Sequence, residues 1–246
     1  MTEVFPAARS EVQWPPARED EGVVVDVLVP VKPLARAKTR LRGVVDGSVD
    51  SRGALIEAHG RLVLALTRDT VAAAADAAMV RRTVAICSDE TVCAALLSDG
   101  VEAIPDEPAA GLNPALRYGE AVIRATDRST TVVALQADLP ALRPHELDSA
   151  IRDGLATGGR AFCPDWAGTG TTLLLAPPGQ PLDPRFGPAS AAAHRGTGAQ
   201  QLPGCGPGLR CDVDTAADLA VARDLGLGRF TRATLRGSGL ACYQDG

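Results

Sequence analysis

The segment at residues 23–30 reads VVVDVLVP, and it indicates the fold class of the chain. Six of its eight residues are Val or Leu, so the run is nearly continuous in apolar side chains. Such a run is typical of a parallel strand that is buried on both faces of a sheet. Pro30 bounds the run, and the segment therefore predicts the first strand of a buried parallel sheet.

Strand-like and helix-like segments alternate along the rest of the chain. Apolar runs predict further strands at residues 83–87, 101–104, 131–136, 161–163, 172–175 and 209–213. Ala- and Leu-rich segments and cap residues predict helices at 53–79, 88–97, 145–155 and 215–225, and one that starts at Asn113 and Pro114. This order predicts a three-layer, Rossmann-like α/β fold, with helices on both faces of a mostly parallel central sheet. Ligands bind beyond the carboxyl ends of the strands in such sheets, so functional residues should directly follow strands.

Composition and the two termini indicate a soluble single-domain protein. The chain has 246 residues and 46% hydrophobic content, which suffices for one core in a domain at residues 23–236. Residues 1–22 predict a disordered leader and residues 237–246 a flexible tail, because neither has helical or strand periodicity. No apolar run approaches the roughly 18 residues of a membrane span. The leader has acidic residues and prolines where a signal peptide is basic and apolar, so we expect a cytoplasmic protein.

Charge and cysteine content narrow the class further. The net charge of −5 argues against nucleic-acid binding, which usually needs a broadly basic surface. The six cysteines contain no CxxC pair, and this predicts reduced thiols. An anionic ligand would therefore have to meet a local group of cationic side chains.

A basic loop follows the first predicted strand. The chain has 25 Lys and Arg residues, and its only two lysines, Lys32 and Lys38, both lie in this loop beside Arg40. Lysine is a compact, mobile point charge, so its use here favours a specific role such as neutralising a triphosphate. The alternative is a solvated loop without a ligand.

Three aspartates are expected at the same edge of the sheet. Asp138 follows the predicted strand at 131–136, and Asp212 and Asp214 bracket the end of the one at 209–213. Residues two apart in extended backbone point to one face, so Asp212 and Asp214 can act together. Carboxylates are preferred ligands of Mg²⁺. The alternative is that Asp212 only ends a strand and Asp214 caps the following helix.

Two glycine-containing segments resemble anion cradles, whereas the usual catalytic motifs are absent. Thr171 and Thr172 follow a glycine-rich turn, and Gly187 and Ser190 lie where Pro188 marks a helix start. The sequence has no GxxxxGK[ST], no complete GxGxxG and no GxSxG. The three histidines are expected in core or surface positions rather than in catalysis.

Taken together, these segments resemble one enzyme family, the guanylyltransferases of deazaflavin coenzyme F(420) biosynthesis. The resemblance runs from about residue 23 to residue 225. It rests on six blocks, which occur in the family's order: VPVKPLARAKTRL at 29–41, GLN at 111–113, ADLP at 137–140, GTT at 170–172, FGPAS at 186–190 and DVDT at 212–215.

The resemblance implies a nucleotidyltransferase fold and transfer of GMP from GTP to phosphoenolpyruvate or 2-phospho-L-lactate. The chain is rich in Ala, Arg and Gly and poor in Lys, a composition typical of high-GC bacteria. The resemblance then implies phosphoenolpyruvate, because this is the acceptor associated with the actinobacterial members of the family. The implied ligands of Mg²⁺ are Asp138, Asp212 and Asp214, and the implied acceptor-binding residues are Thr172, Gly187 and Ser190. From the residues themselves, the nucleotide-binding candidates are Lys32, Lys38 and Arg40 of the basic loop, with Gly111 and Asn113 at the base or ribose pocket. The catalytic candidates are Lys32, Lys38 and Asp138.

Other functions remain open from the sequence. A sugar-1-phosphate or molybdenum-cofactor nucleotidyltransferase would have a glycine-rich loop after the first strand, where this chain has Pro30 and Pro33. A module that only senses GTP would bind the nucleotide without releasing pyrophosphate. The sequence does not indicate an oligomeric state.

Overall fold

The structure is a computed structural model that describes residues 25–32, 41, 52–107 and 109–237. The predicted leader at 1–22, Lys38 and Arg40 of the basic loop, and all but the first residue of the predicted tail lie outside the described residues. No helix of the described ranges is long and apolar enough to cross a membrane.

A seven-stranded sheet forms the middle layer. Its strands are β1 Val25–Val31, β2 Val80–Cys87, β3 Glu102–Pro105, β4 Thr131–Leu135, β5 Ala161–Pro164, β6 Thr171–Ala176 and β7 Gln200–Gln201. The order across the sheet is β3-β2-β1-β4-β6-β5-β7. β6 runs antiparallel to both of its neighbours, and every other pair is parallel. The mostly parallel sheet predicted from the sequence is confirmed.

Eight helices accompany the sheet in the described part of the chain. They are α1 Arg52–Ala75, α2 Glu90–Ser98, α3 Leu112–Thr126, α4 Pro144–Ala156, α5 Ser190–Gly196, α6 Pro207–Arg210, α7 Ala216–Leu225 and α8 Arg229–Gly237. Side chains of β1 alternate between two buried clusters, with Val27 and Val29 in one and Leu28 in the other. A strand buried on both faces needs such a continuous apolar run, and this explains the sequence of β1.

Two charged residues at the amino end of the sheet neutralise the one acid within β1. Asp26 is wholly buried, and its carboxylate accepts hydrogen bonds from Arg81 Nε at 2.9 Å and Nη2 at 2.7 Å. Arg82 Nη2 adds a third bond at 2.8 Å. A buried carboxylate is tolerated only when it is paired in this way.

Helix α1 ends earlier than the sequence predicted. The predicted helix at 53–79 passes through Gly60 without a break but stops at Ala75. The Asp148 carboxylate accepts the backbone N–H groups of Ala78 at 3.1 Å and Met79 at 2.8 Å. These N–H groups are therefore withdrawn from the helix, and β2 begins at Val80, before the predicted residue 83.

The strand predicted at residues 209–213 is wrong. Residues 207–210 form the short helix α6, with Pro207 in its first turn, and the chain continues without strand pairing to α7. Gly208 lies so close to the turn before α4 that a Cβ there would be 2.3 Å from the Ala141 carbonyl oxygen. The last strand of the sheet is instead β7, which has only two exposed glutamines.

The helix predicted to start at Asn113 and Pro114 begins slightly earlier. Its N-cap is Gly111 and its first residue is Leu112, so Asn113 lies within the first turn. Gly111 has a φ of 103°, a conformation that favours glycine.

Candidate active site

The carboxyl ends of the parallel strands form one edge of the sheet, called here the carboxyl edge. In the parallel pair of β1 and β4, Leu28 lies opposite Ala134. Lys32 and Asp138 each follow their paired residue by four positions, so both lie beyond this edge. Lys32 is exposed and Asp138 is half-buried.

The segment with Asp212 and Asp214 lies directly against the segment with Asp138. The backbone N–H of Val213 donates to the Asp138 carbonyl oxygen at 3.0 Å. Val213 is wholly buried, whereas Asp212 is half-buried and Asp214 is exposed. Asp212 and Asp214 are therefore both more exposed than Val213 between them, as expected for extended backbone, although no strand contains them. The structure brings the three acid-bearing positions to one edge.

Capping of α7 does not account for Asp214. The N-cap is Thr215, whose hydroxyl accepts the Asp218 backbone N–H at 3.3 Å. The Asp218 carboxylate in turn accepts the N–H groups of Thr215 at 2.8 Å and Asp214 at 3.1 Å. The alternative assignment of Asp214 as the helix cap is wrong.

The side chains of the three aspartates are not gathered around one point. Across residues 25–32, 41, 52–107 and 109–237, no three His, Cys, Asp or Glu side chains are grouped so that they hold a metal ion. Like charges repel, so carboxylates converge only when a cation or protons offset their charge. Oxygen donors on adjoining segments are the type that Mg²⁺ uses, and the magnesium site remains a prediction.

The acceptor-binding candidates lie on β6 and on the turn before α5. Thr172 pairs with the end of β4, because its carbonyl oxygen accepts the Gln136 N–H at 2.9 Å. Its hydroxyl is buried and has no hydrogen-bond partner among the described residues apart from the Cys163 thiol, a weak one. Ser190 is buried, and its N–H donates to the Gly187 carbonyl oxygen at 3.1 Å. The Ala191 N–H donates to Thr169 at 3.1 Å, which places this turn beside the start of β6.

The structure gives Asn113 two contacts with the segment before this turn. Its Nδ2 donates to the Phe186 carbonyl oxygen at 2.9 Å, and its Oδ1 accepts the Phe186 N–H at 2.8 Å. Gly111 is exposed, two residues before Asn113, and lies after β3 at the carboxyl edge. The beginning of α3 therefore adjoins the acceptor-binding candidates.

His194 is a buried residue that the sequence analysis did not connect with the site. Its Nε2 accepts the Arg185 N–H at 2.9 Å, so the proton of the neutral ring lies on Nδ1, which contacts the Thr171 hydroxyl at 2.9 Å. The ring packs against Phe186 at 5.0 Å and Phe162 at 5.9 Å between ring centres. Burial lowers the pKa of His194 to about 4, so the ring is neutral at pH 7. No motif links a histidine to threonine and phenylalanine at these spacings, and the contact is visible only in the fold.

Besides Lys32, one more residue of the basic loop is described. Leu41 is wholly buried in a cluster that includes Leu62, Leu66 and Val213. Leu41 directly follows Arg40 in the sequence, and Val213 lies between Asp212 and Asp214. The end of the basic loop and the segment with the two aspartates therefore share one buried cluster. Lys38 and Arg40 themselves lie outside the described residues.

The prediction of six reduced thiols is wrong for one pair. Cys87 and Cys93 form a disulfide, with their Cα atoms 6.3 Å apart. Cys87 ends β2 and Cys93 lies in the first turn of α2, so a tight strand-to-helix connection brings them within bridging distance. Cys87 and Cys93 are six positions apart and form no CxxC motif, so the sequence did not indicate this disulfide. The remaining described cysteines, Cys163, Cys205 and Cys211, are free thiols.

A groove of about 480 Å³ lies away from these residues. It runs between α3 and residues 179–183 and is lined by Arg117, Glu120 and Arg160, among others. Arg160 precedes β5 and residues 179–183 follow β6, so the groove lies toward the edge of the sheet opposite the carboxyl edge.

Solved structures identify the class of fold. A nucleotide-diphospho-sugar transferase from Desulfovibrio desulfuricans aligns with a TM-score of 0.61 at 21% identity, over 88% of this chain and 95% of that one. A nucleotidyl transferase from Methanothermobacter aligns with a TM-score of 0.52 at 15% identity, over 86% of this chain and all of that one. The fold is that of the nucleotidyltransferases.

Relatives in sequence identify the family. A scan against protein-family models found no match. The phosphoenolpyruvate guanylyltransferase of Salinispora arenicola is 47% identical over 207 residues, which cover 83% of this chain and 90% of the relative. That of Geodermatophilus obscurus is 47% identical over 212 residues, covering 86% and 94% respectively. The chain belongs to the phosphoenolpyruvate guanylyltransferase family.

Proposed function

We propose that this protein transfers GMP from GTP to phosphoenolpyruvate, with Mg²⁺ as cofactor, in coenzyme F(420) biosynthesis. A phosphate oxygen of phosphoenolpyruvate attacks the α-phosphorus of GTP, and the bond to the β-phosphate oxygen breaks. The products are enolpyruvoyl-2-diphospho-5'-guanosine and pyrophosphate. We also propose a cytoplasmic location.

The hydrogen bond from Val213 to Asp138 is the observation on which the proposal depends most. It holds two acid-bearing segments side by side at the carboxyl edge, where Lys32 and the start of β6 also lie. In related folds this edge is the place where ligands bind. The Thr172 carbonyl bond to Gln136 then joins the acceptor-binding segment to the same edge.

The chemistry of the substrates removes the need for a strong general base. A phosphate monoester has a second pKa near 6, so the acceptor is largely dianionic at neutral pH and is already a nucleophile. The described histidine of the site, His194, uses both ring nitrogens in structural contacts. Catalysis then depends on bringing two polyanions together and on stabilising the charge that develops on pyrophosphate.

Each group of residues has a role in this scheme. Asp138, Asp212 and Asp214 would hold Mg²⁺, which would offset the negative charge of the phosphates. Lys32 extends from the carboxyl edge, where its charge favours pyrophosphate as a leaving group; we assign the same role to Lys38 and Arg40 from the sequence. The Thr172 and Ser190 hydroxyls and the Gly187 backbone would orient phosphoenolpyruvate.

Pyrophosphate release from defined substrates tests the proposal. Purified full-length protein is supplied with GTP and Mg²⁺ and, in separate reactions, with phosphoenolpyruvate, 2-phospho-L-lactate, a sugar 1-phosphate or no acceptor. We expect release with phosphoenolpyruvate and little with the other acceptors. Faster release with 2-phospho-L-lactate or a sugar phosphate would reassign the acceptor. Release in no reaction, together with GTP binding, would favour a sensing module.

The nucleotide is tested in the same assay. ATP, CTP and UTP replace GTP at equal concentration with phosphoenolpyruvate as the acceptor. Equal rates with ATP and GTP would contradict the assignment of a guanylyltransferase. The names of the relatives support GTP, since each of the two is called a guanylyltransferase.

A further inference from the structure

Two side chains from different helices hold the backbone just before Gly187. Asn113 of α3 bonds both the N–H and the carbonyl oxygen of Phe186, at 2.8 and 2.9 Å. His194 of α5 accepts the N–H of the preceding residue, Arg185, at 2.9 Å. Two consecutive residues of a segment without secondary structure are thereby fixed to two separate helices.

The donors and acceptors of these hydrogen bonds determine the orientation of both side chains. The Phe186 N–H requires an acceptor, so Asn113 must present Oδ1 to it and Nδ2 to the carbonyl oxygen. The Arg185 N–H requires Nε2 of His194 as acceptor, and Nδ1–H is then directed to the Thr171 hydroxyl. His194 therefore ties the segment to the residue before Thr172.

The held segment continues into residues 187–190, called here the acceptor turn. Gly187 has a φ of 136°, and Ala189 adopts a left-handed conformation with a φ of 56°. A Cβ at Gly187 would meet no atom within 4 Å, so the space over this backbone is open. The turn is thus fixed from behind by Asn113 and His194 and is accessible at Gly187.

We infer that Asn113 and His194 are positioning residues that preform the acceptor turn for phosphoenolpyruvate. This inference rests on the proposed function, because it takes residues 187–190 as part of the acceptor site. It also changes the expected role of Asn113, which the sequence assigned to the nucleotide. The Asn113 amide is engaged with Phe186 through both its oxygen and its nitrogen.

A kinetic comparison separates positioning of the acceptor from contact with the nucleotide. Asn113→Asp keeps an acceptor for the Phe186 N–H but places an anionic oxygen against the Phe186 carbonyl oxygen. We expect KM for phosphoenolpyruvate to rise about tenfold or more, because a partly buried hydrogen bond is lost and two oxygens repel each other. We expect KM for GTP to change less than about twofold, since the disturbed segment is the acceptor turn.

The matched control makes the same amide-to-carboxylate change elsewhere. Gln201→Glu lies on the exposed edge strand β7, where Arg195 faces the side chain, and should leave both KM values unchanged. Thermal unfolding of each variant shows whether the fold is kept. An Asn113→Asp enzyme with an unchanged KM for phosphoenolpyruvate, or with KM raised only for GTP, would overturn the inference.

An independent measurement uses the fact that Asn113 is the only asparagine in the sequence. Protein labelled with ¹⁵N-asparagine gives a single side-chain amide pair in an NMR spectrum. We expect this pair, without any ligand, to exchange with solvent at least about tenfold more slowly than a free amide, because Phe186 binds it. Exchange at the rate of a free amide would overturn the inference. A wild-type protein that releases no pyrophosphate would contradict the proposed function. The exchange rate would then still show whether Asn113 holds the backbone of Phe186.

Discussion

Asp138 and Asp212 are half-buried, and each has its backbone close to the hydrogen bond that joins their segments. Asp138→Asn and Asp212→Asn each remove one negative charge and change the side-chain volume very little. We expect turnover to fall at least about 100-fold in each variant, because a carboxylate of the proposed Mg²⁺ site is lost, while the fold is kept. The measurement is pyrophosphate release, with circular dichroism to verify folding.

The control for these variants is an aspartate outside the carboxyl edge. Asp76 is exposed in the turn after α1, and Asp76→Asn should have wild-type turnover. Turnover within a few-fold of wild type in either Asp138→Asn or Asp212→Asn would remove that residue from the proposed metal site.

His194 is expected to make the stability of the folded protein depend on pH. Its pKa is about 4 in the folded protein and about 6.5 in the unfolded chain, because burial opposes the charged ring. Between these values the unfolded chain binds a proton that the folded protein does not. The free energy of unfolding should therefore decrease as pH falls from about 6.5 to 4, by on the order of 3 kcal/mol from this residue.

Comparison of variants isolates this effect from the titration of carboxylates. His194→Gln keeps an oxygen that can accept the Arg185 N–H but does not titrate. Urea unfolding at pH 7 and at pH 4.5 should show a smaller loss of stability in His194→Gln than in the wild type. His145→Gln, at an exposed position, is the control and should retain the wild-type loss. Equal losses in His194→Gln and the wild type would contradict the prediction.

At the scale of single elements, the buried ion pairs of β1 and β2 are the strongest candidates for a large effect on stability. Asp26→Asn leaves Arg81 and Arg82, which are mostly buried, without their shared carboxylate. We expect the free energy of unfolding to fall by about 3 kcal/mol, the low end for such pairs, because Asp127 still contacts Arg81 at 2.8 Å. Urea unfolding followed by circular dichroism measures the change.

The matched control is an ion pair at the surface. Glu57 and Arg61 lie 3.8 Å apart on α1, and their side chains are 76% and 65% exposed. Exposed pairs contribute little, so Glu57→Gln should change stability by less than about 0.5 kcal/mol. A similar loss for Asp26→Asn and Glu57→Gln would show that burial does not strengthen the effect of the Asp26 pair.

The elements that the sequence predicted well are those whose pattern reports burial directly. β1 and β4 are buried runs that are apolar apart from Asp26 and Thr131. Helix α2 begins after Asp89, whose carboxylate accepts the N–H groups of Thr91 and Val92. The prediction of a strand at 209–213 was wrong because alternation of apolar and polar residues does not by itself make a strand. Leu209, Cys211 and Val213 are indeed buried, but no neighbouring strand pairs with them.

The elements that the sequence missed depend on contacts from distant residues. β7 has two glutamines, and it is a strand only because β5 pairs with it. Helix α8 starts where the Asp69 carboxylate of α1 accepts the N–H groups of Phe230 at 2.9 Å and Thr231 at 2.8 Å. A carboxylate about 160 positions earlier in the chain, within a helix, gives no local sign that it caps another helix.

At the scale of the whole molecule, the proposed site joins segments that are far apart in the chain. Val213 bonds to Asp138 through its backbone and shares a buried cluster with Leu41, so the segment after α6 links β4 to the end of the basic loop. The motif order in the sequence indicated which segments are involved. It did not indicate that a buried valine and one backbone bond hold them together, because those contacts depend on tertiary packing.

A ligand that binds these segments together should stabilise the entire domain. Binding to the folded state alone adds about 2.7 kcal/mol when the ligand is at 100 times its Kd, and in a domain of this size this raises Tm by about 5–10 °C. We expect this shift with GTP and Mg²⁺, measured by calorimetry, and we expect EDTA to abolish most of it, because the triphosphate and the aspartates repel each other without the cation. Asp212→Asn should show a reduced shift with Mg²⁺, whereas Asp76→Asn should show the full one. A shift that is equally large in EDTA would mean that GTP binds without the aspartates, and the proposed metal site would then have to be abandoned.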